Sequence, residues 1–144
     1  MKKAVYFFIM ILMLFSLAGC SSYQSGNDAK VTIGKSEKFS EEEIKDSVEC
    51  TKEKFKSFKG CTLTDIWYDE EKSNKLTHNY LQEGNGGYES GATDENTIVL
   101  ISNFKVGSSG GDGSLEPNST YTDWQWYLVR DSKNGKWKVV GWGY

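Results

Sequence analysis

Tyr121-Thr122-Asp123-Trp124-Gln125-Trp126-Tyr127-Leu128-Val129-Arg130, then Asp131-Ser132-Lys133-Asn134-Gly135, then Lys136-Trp137-Lys138-Val139-Val140-Gly141-Trp142-Gly143-Tyr144: these 24 residues decide the fold. Two runs rich in aromatic and β-branched side chains flank a polar segment ending in Asn-Gly, which is the pattern of a β-hairpin. If Gly135 makes the bulge of a three-residue loop, Ser132 pairs with Lys136. Trp126 then faces Trp142, Leu128 faces Val140 and Trp124 faces Tyr144, while Tyr127, Val129, Val139 and Trp137 take the opposite face. A two-residue Asn-Gly turn shifts this register by one, so both registers stay open at this point.

Outward from the hairpin, Thr97 to Val106 alternates, with Ile98, Leu100 and Phe104 on one face and Val99 and Ile101 on the other, as in a strand buried on both sides. Thr62 to Tyr68 is a further strand. Three consecutive strands without helical crossovers imply antiparallel pairing. The segment from Asp69 to Asn96 is too long for a turn; Ser73 can cap a short helix carrying Leu76 and Tyr80, and Gly84-Asn85-Gly86-Gly87 ends it. Further upstream, Ser40-Glu41-Glu42-Glu43 reads as a capping box, with Phe39 and Ile44 as its hydrophobic staple. Ile44, Val48, Phe55 and Phe58 then recur on one face of a helix that Gly60 stops. The expectation is an α+β fold: one N-terminal helix packed on one face of a four-stranded antiparallel sheet, with a short helix between strands 1 and 2.

The chain has 144 residues, with 17 basic and 20 acidic side chains. Lys2 and Lys3 are the only charged residues among the first 19, so the remainder carries a net charge of −5. That balance argues against a nucleic-acid binder. Met1-Lys2-Lys3, the apolar run Ala4 to Leu14 and the small residues before Cys20 have the form of a secretory signal. The run is shorter than the ~20 residues a bilayer-spanning helix needs. Residues 1–19 are therefore expected to be a signal peptide, 20–38 a polar tether and 39–144 a single domain. Val31-Thr32-Ile33 is a weak strand signal within the tether.

Leu17-Ala18-Gly19-Cys20 resembles the bacterial lipobox. That resemblance implies diacylglycerol on the Cys20 thiol and cleavage before it, so that acyl chains at ~0.8 kcal/mol per buried methylene hold the protein to the outer face of the membrane. The helix, the antiparallel sheet and the closing hairpin resemble the curved-sheet cystatin-like/NTF2-like superfold. Phe39-Ser40-Glu41-Glu42-Glu43-Ile44 and Trp67-Tyr68-Asp69-Glu70-Glu71 further resemble small clostridial-type lipoproteins of unknown function that carry such a domain. NTF2-like domains include isomerases and dehydratases as well as non-catalytic ligand-binding and protein-binding modules, so the resemblance does not choose between them.

Seven of the sixteen aromatics after residue 19 lie in the last 24 residues. If the helix covers the Tyr127 face of the hairpin, Trp124, Trp126, Trp142 and Tyr144 form the free face. They are the expected ligand-binding or partner-binding residues, with a second layer of core or a homodimer interface as the alternatives. The acidic run 41–43 suits the positive end of a helix and does not converge on a metal. Ser109-Gly110-Gly111-Asp112-Gly113-Ser114 lacks the ending of a phosphate loop and the alternating acids of a calcium loop, and is read as a mobile hairpin tip. Cys50 and Cys61 are the two thiols left to an exported chain, for which a disulfide is one alternative; free thiols are the expectation, because a helix continuing past Cys50 places Cys61 roughly 10 Å away. His78 is the only His, which leaves nothing to build a multi-His zinc site or a Ser-His triad. An isomerase of the NTF2-like kind would need an inward carboxyl beside a Tyr, for which Asp65 and Tyr68 are the candidates. No catalytic residue, cofactor or metal is assigned. The expected function is that of a membrane-anchored extracytoplasmic lipoprotein with a non-catalytic domain for a small ligand or an envelope protein.

Overall fold

The computed structural model describes residues 21–24, 29–82 and 86–144. The leader and the lipidation motif ending at Cys20 lie outside the described residues. The elements are β1 (Ser21–Gln24), β2 (Lys30–Ile33), α1 (Glu41–Phe55), β3 (Cys61–Tyr68), α2 (Glu70–Leu81), α3 (Gly87–Ser90), β4 (Thr97–Val106), β5 (Thr120–Val129) and β6 (Lys138–Gly143). Strands β2 to β6 form one sheet in chain order, with β1 a short sixth strand along the outer side of β2. The fold is α+β, as the sequence leads one to expect.

The sheet is not the four-stranded antiparallel one. β2 joins it and runs parallel to β3, pairing Val31 with Ile66 and Ile33 with Tyr68, whereas β3 to β6 are antiparallel throughout. The cause is α1, which carries the chain back along the sheet between β2 and β3, so that the two strands run the same way. The packed region therefore begins before Phe39: Ala29, Val31 and Ile33 belong to the core. Only four residues long and surrounded by polar neighbours, β2 acquires its strand character from that burial.

α1 begins as its sequence dictates. Ser40 Oγ accepts from the Glu43 amide at 3.2 Å, and the Glu43 carboxylate accepts from the Ser40 amide at 2.7 Å. Ile44, Val48 and Phe55 are buried against the sheet, and Gly60, at φ +70°, ends the excursion. α2 starts earlier than a Ser73 cap would place it, because Asp69 takes the cap and accepts from the Lys72 amide at 2.8 Å. Ser73 has another task. Its Oγ accepts from the Val99 amide at 3.0 Å, at a level of β4 beyond the last residue paired with β3.

The two helices lie on opposite sides of the sheet. On the α1 side, the rings of Phe55 and Phe58 pack against Trp126, with centroids 6.2 and 5.3 Å away. On the α2 side, Tyr80 packs against Tyr127 at 4.6 Å. Successive residues of a strand point to opposite faces, so Trp126 and Tyr127 report the two sides directly.

Candidate functional site

The hairpin register follows the three-residue-loop expectation at Trp126↔Trp142 and departs from it nearer the turn, where Leu128 faces Val139 instead of Val140. Val140 is an extra residue, a β-bulge, and it moves Val139 and Trp137 onto the α1 side. Trp137 is buried there, donating its indole N–H to the Glu43 carbonyl at 2.9 Å.

The side on which α1 lies overturns part of the expected free face. Trp124, Trp126, Trp142 and Tyr144 lie together, but on the side that α1 covers. Trp126 is wholly buried and donates its indole N–H to Ser102 Oγ at 2.8 Å, so it is core. Trp124 is partly buried against Phe104 and Tyr121. Trp142, 46 % exposed, and Tyr144, 74 % exposed, continue the same chain of rings to the surface. The Lys54 ammonium sits over the Trp142 ring at 4.4 Å. The aromatic concentration thus divides into an inner half that holds the fold and an outer rim.

A concavity lies between α2 and the β5–β6 hairpin, and the exposed Trp142 and Tyr144 reach its edge. It has a volume of about 860 Å³. Leu76, Asn79 and Tyr80 from α2 form one wall and Gln125 and Tyr127 of β5 the other, continued by Val140, Gly141, Trp142 and Tyr144, so two of the four predicted site residues, Trp142 and Tyr144, border it. α2 covers β4 well enough to bury Val99 and Ile101 completely, yet it stops short of β5 and β6. The cleft is that uncovered strip. Its end is closed by Gly86 and Ser90, and Gly87 is what lets that segment approach: a Cβ there would meet the Tyr80 carbonyl oxygen at 2.6 Å.

Polar groups in the cleft are held in fixed directions. Tyr127 donates its hydroxyl to Gln125 Oε1 at 2.6 Å. Ser90 Oγ donates to the Gly87 carbonyl at 2.9 Å and so receives the Tyr80 hydroxyl at 3.2 Å as an acceptor. Burial, and then the neighbouring Tyr80, raise the Tyr127 phenol above the ordinary tyrosine range, so that phenol is neutral at physiological pH.

The other candidates take separate places. Asp65 pairs with Asn103 and shares the α2 side, whereas Tyr68 points to the α1 side, where it bonds to Ser36 and Glu70. The isomerase pair is therefore not brought together. The Tyr68 phenol is pushed up to about 12, chiefly by burial. Cys50 and Cys61 are free thiols; Cys50 Sγ donates to the Trp137 carbonyl at 3.2 Å, and Cys61 lies beside the glycine loop. That loop is folded onto the end of α1, contrary to the mobile-tip expectation. The Gly107 amide donates to the Gly60 carbonyl at 2.9 Å and the Asn118 amide to the Gly107 carbonyl at 3.1 Å. His78 is exposed on α2.

A second, smaller concavity of about 530 Å³ lies at the start of α1 beside Arg130. Arg130 is 5 % exposed, forms an ion pair with Glu43 at 2.7 Å, and stacks its guanidinium on Trp137 at 4.5 Å. Burial raises the Glu43 carboxyl, but hydrogen bonds from Ser40 and Arg130 outweigh it and hold the group below the ordinary carboxylate range. This arrangement clamps the hairpin to the helix start and has a sufficient structural role. Among the described residues, no three potential metal ligands come together.

Sequence reasoning missed Tyr80, Gln125, Tyr127 and Gly141. The available signal was the register itself, since pairing Trp126 with Trp142 puts Tyr127 opposite Gly141. Comparison of the chain with protein-family models, curated proteins and solved structures gives no match.

Proposed function

We propose that this chain is an exported lipoprotein, anchored to the outer face of the cell membrane by lipid on Cys20, whose α+β domain binds a ligand without performing chemistry on it. The lipobox-like Leu17-Ala18-Gly19-Cys20 supports the anchor. The observation that carries the binding reading is the open cleft beside the packed rings of Tyr80 and Tyr127, formed where α2 stops short of the hairpin. Its described lining consists of rings, two aliphatic side chains, amides, a hydroxyl and glycines and presents neither Asp nor Glu. A pocket enzyme of the isomerase type would place a carboxyl there; Asp65 and Tyr68 point to opposite faces. The cystatin-like/NTF2-like kinship belongs to the same proposal. The antiparallel run β3 to β6 with α1 on one face supports it, while the parallel β2–β3 pair and α2 on the other face are departures.

Two measurements test the proposal. Cys20→Ala should move the protein from the membrane fraction to the soluble exported fraction; unchanged membrane retention contradicts the anchor. Ligand-observed NMR on the full-length chain with a mixed library of neutral fragments should give hits that Tyr127→Leu removes. Hits that survive in that variant contradict the cleft as the site.

A second reading is a homodimeric module. It is favoured by Val140, Trp142 and Tyr144, the exposed large apolar side chains among the described residues, all of which lie at the C-terminal edge of the sheet. Antiparallel pairing of two β6 edges would bury the same patch on both copies. Light scattering should then give twice the chain mass, with Trp142→Lys returning it to the monomer value.

A further inference from the structure

We propose that the cleft over Tyr127 is a subsite for a neutral sugar ring, so that the ligand class is an uncharged saccharide; this rests on the binding reading above. Gly141 carries the inference. Its φ is not positive, and a Cβ built on it would meet only Tyr127 Cβ at 3.8 Å and Cδ2 at 3.9 Å, which are ordinary contacts. Neither backbone conformation nor crowding requires glycine at this position, and glycine weakens a strand interior. What its missing side chain does is leave the flank of the Tyr127 ring bare on the cleft side.

The other side of that ring is backed by Tyr80, with centroids 4.6 Å apart and ring planes inclined by 30°. A tyrosine supported by Tyr80 and left without a side chain against it at Gly141 presents a rigid apolar surface with a polar tip to the cleft. The carbon–hydrogen face of a pyranose is the complementary shape. Around the ring the hydrogen-bonding groups have complementary roles. Gln125 accepts the Tyr127 hydroxyl through Oε1, which leaves its NH2 as the donor end. Tyr80 donates to Ser90, which leaves the Tyr80 oxygen as an acceptor. Sugar hydroxyls both donate and accept, so one ring edge can satisfy both groups. The described lining offers no charged side chain to compensate a ligand charge taken out of water, which favours a neutral ligand over an ionic one. A volume of about 860 Å³ lies within the range of small-molecule sites.

The test is affinity electrophoresis of the full-length chain in mild detergent, through gels containing a soluble neutral glucan, xylan, mannan or galactan. At least one polysaccharide should retard the protein. Gly141→Val, which covers the Tyr127 flank, should weaken that retardation at least tenfold without lowering the thermal midpoint, and Tyr127→Leu should act likewise. If Gly141→Val misfolds, Gln125→Ala decides, with a loss of about fivefold expected from one hydrogen bond. Retardation unchanged in the folded variants overturns the proposal, as does the absence of retardation by all four polymers. In that last case the neutral-fragment NMR separates the failures: non-sugar fragments displaced by Tyr127→Leu leave the cleft a binding site for another class, whereas no hits at all remove the binding reading as well.

Discussion

Trp126 and Tyr127 are neighbours on one strand, are of similar size and differ completely in fate. Trp126 lies beneath a 15-residue helix, is fully buried, and has its one donor satisfied by Ser102. Tyr127 faces a 12-residue helix that covers β4 and stops, so the ring keeps one bare flank and its hydroxyl is engaged at the cleft wall. The two faces of the hairpin draw on the same residue types. What separates them is which helix reaches them and whether the opposing residue on β6 has a side chain: Trp142 opposite Trp126, Gly141 opposite Tyr127. One face is therefore committed to stability, while the other is left available for contact.

Substitutions that break this contrast can be ordered by size. Trp126→Ala should cost about 3–5 kcal/mol, the range for deleting a large buried aromatic, with Ser102 losing its partner as well. Tyr127→Ala should cost at most about 1 kcal/mol, since its ring is only partly buried and its hydrogen bond lies at a wet site. Urea unfolding of both variants checks the gap; equal losses would mean that the two faces are equally structural.

Next in size is the clamp that holds the hairpin over α1. Arg130→Met should cost about 2 kcal/mol through the lost charged hydrogen bond to Glu43. The Glu43 carboxyl is held below the ordinary carboxylate range, so its contribution is present above that range and is lost as pH falls through the folded value. Stability should therefore decline on acidification. Glu43→Gln should flatten part of that decline, leaving the share of Glu70, whose carboxyl is also held low by Ser36 and the amides of Glu37 and Lys38 against the opposing effect of burial. Unfolding curves at neutral pH and near pH 3 measure it, and an unchanged slope in Glu43→Gln would assign the acid limb elsewhere.

The smallest effect has the opposite sign. Gly141→Ala should stabilise the fold by about 0.4–1 kcal/mol, because its backbone is ordinary, the added methyl meets only ordinary contacts, and the unfolded chain loses freedom. A loss of stability would show that glycine is needed for folding and would take away its role as an opening over Tyr127.

The parts of the fold legible in the sequence were those set by local chemistry. The Ser40–Glu43 capping box, the stop at Gly60, the doubly buried β4 and the Trp126↔Trp142 pairing are each dictated within one element or one turn. What was not legible depends on elements distant in sequence. β2 has four residues and becomes a strand because β3 receives it. The bulge at Val140 has no residue signature, yet it decides which side Trp137 and Val139 take. Most consequential was the side on which α1 lies, since helix periodicity shows that one face is apolar without saying which sheet face it meets. The candidate site changed in part for that reason: Trp126, expected at a free surface, is core, and Tyr127, expected beneath the helix, lines the cleft, while Trp142 and Tyr144 stay exposed at its border.

The most direct measurement is NMR of the full-length chain with isotope-labelled Tyr and Trp side chains, titrated with the neutral polysaccharide that retards it most. The ring signals of Tyr127 and Tyr80 should shift with saturation while the Trp126 indole N–H, bonded to Ser102 in the core, does not move. Saturable shifts that leave Tyr127 and Tyr80 unchanged, or that move the Trp126 indole N–H with them, would contradict this reading.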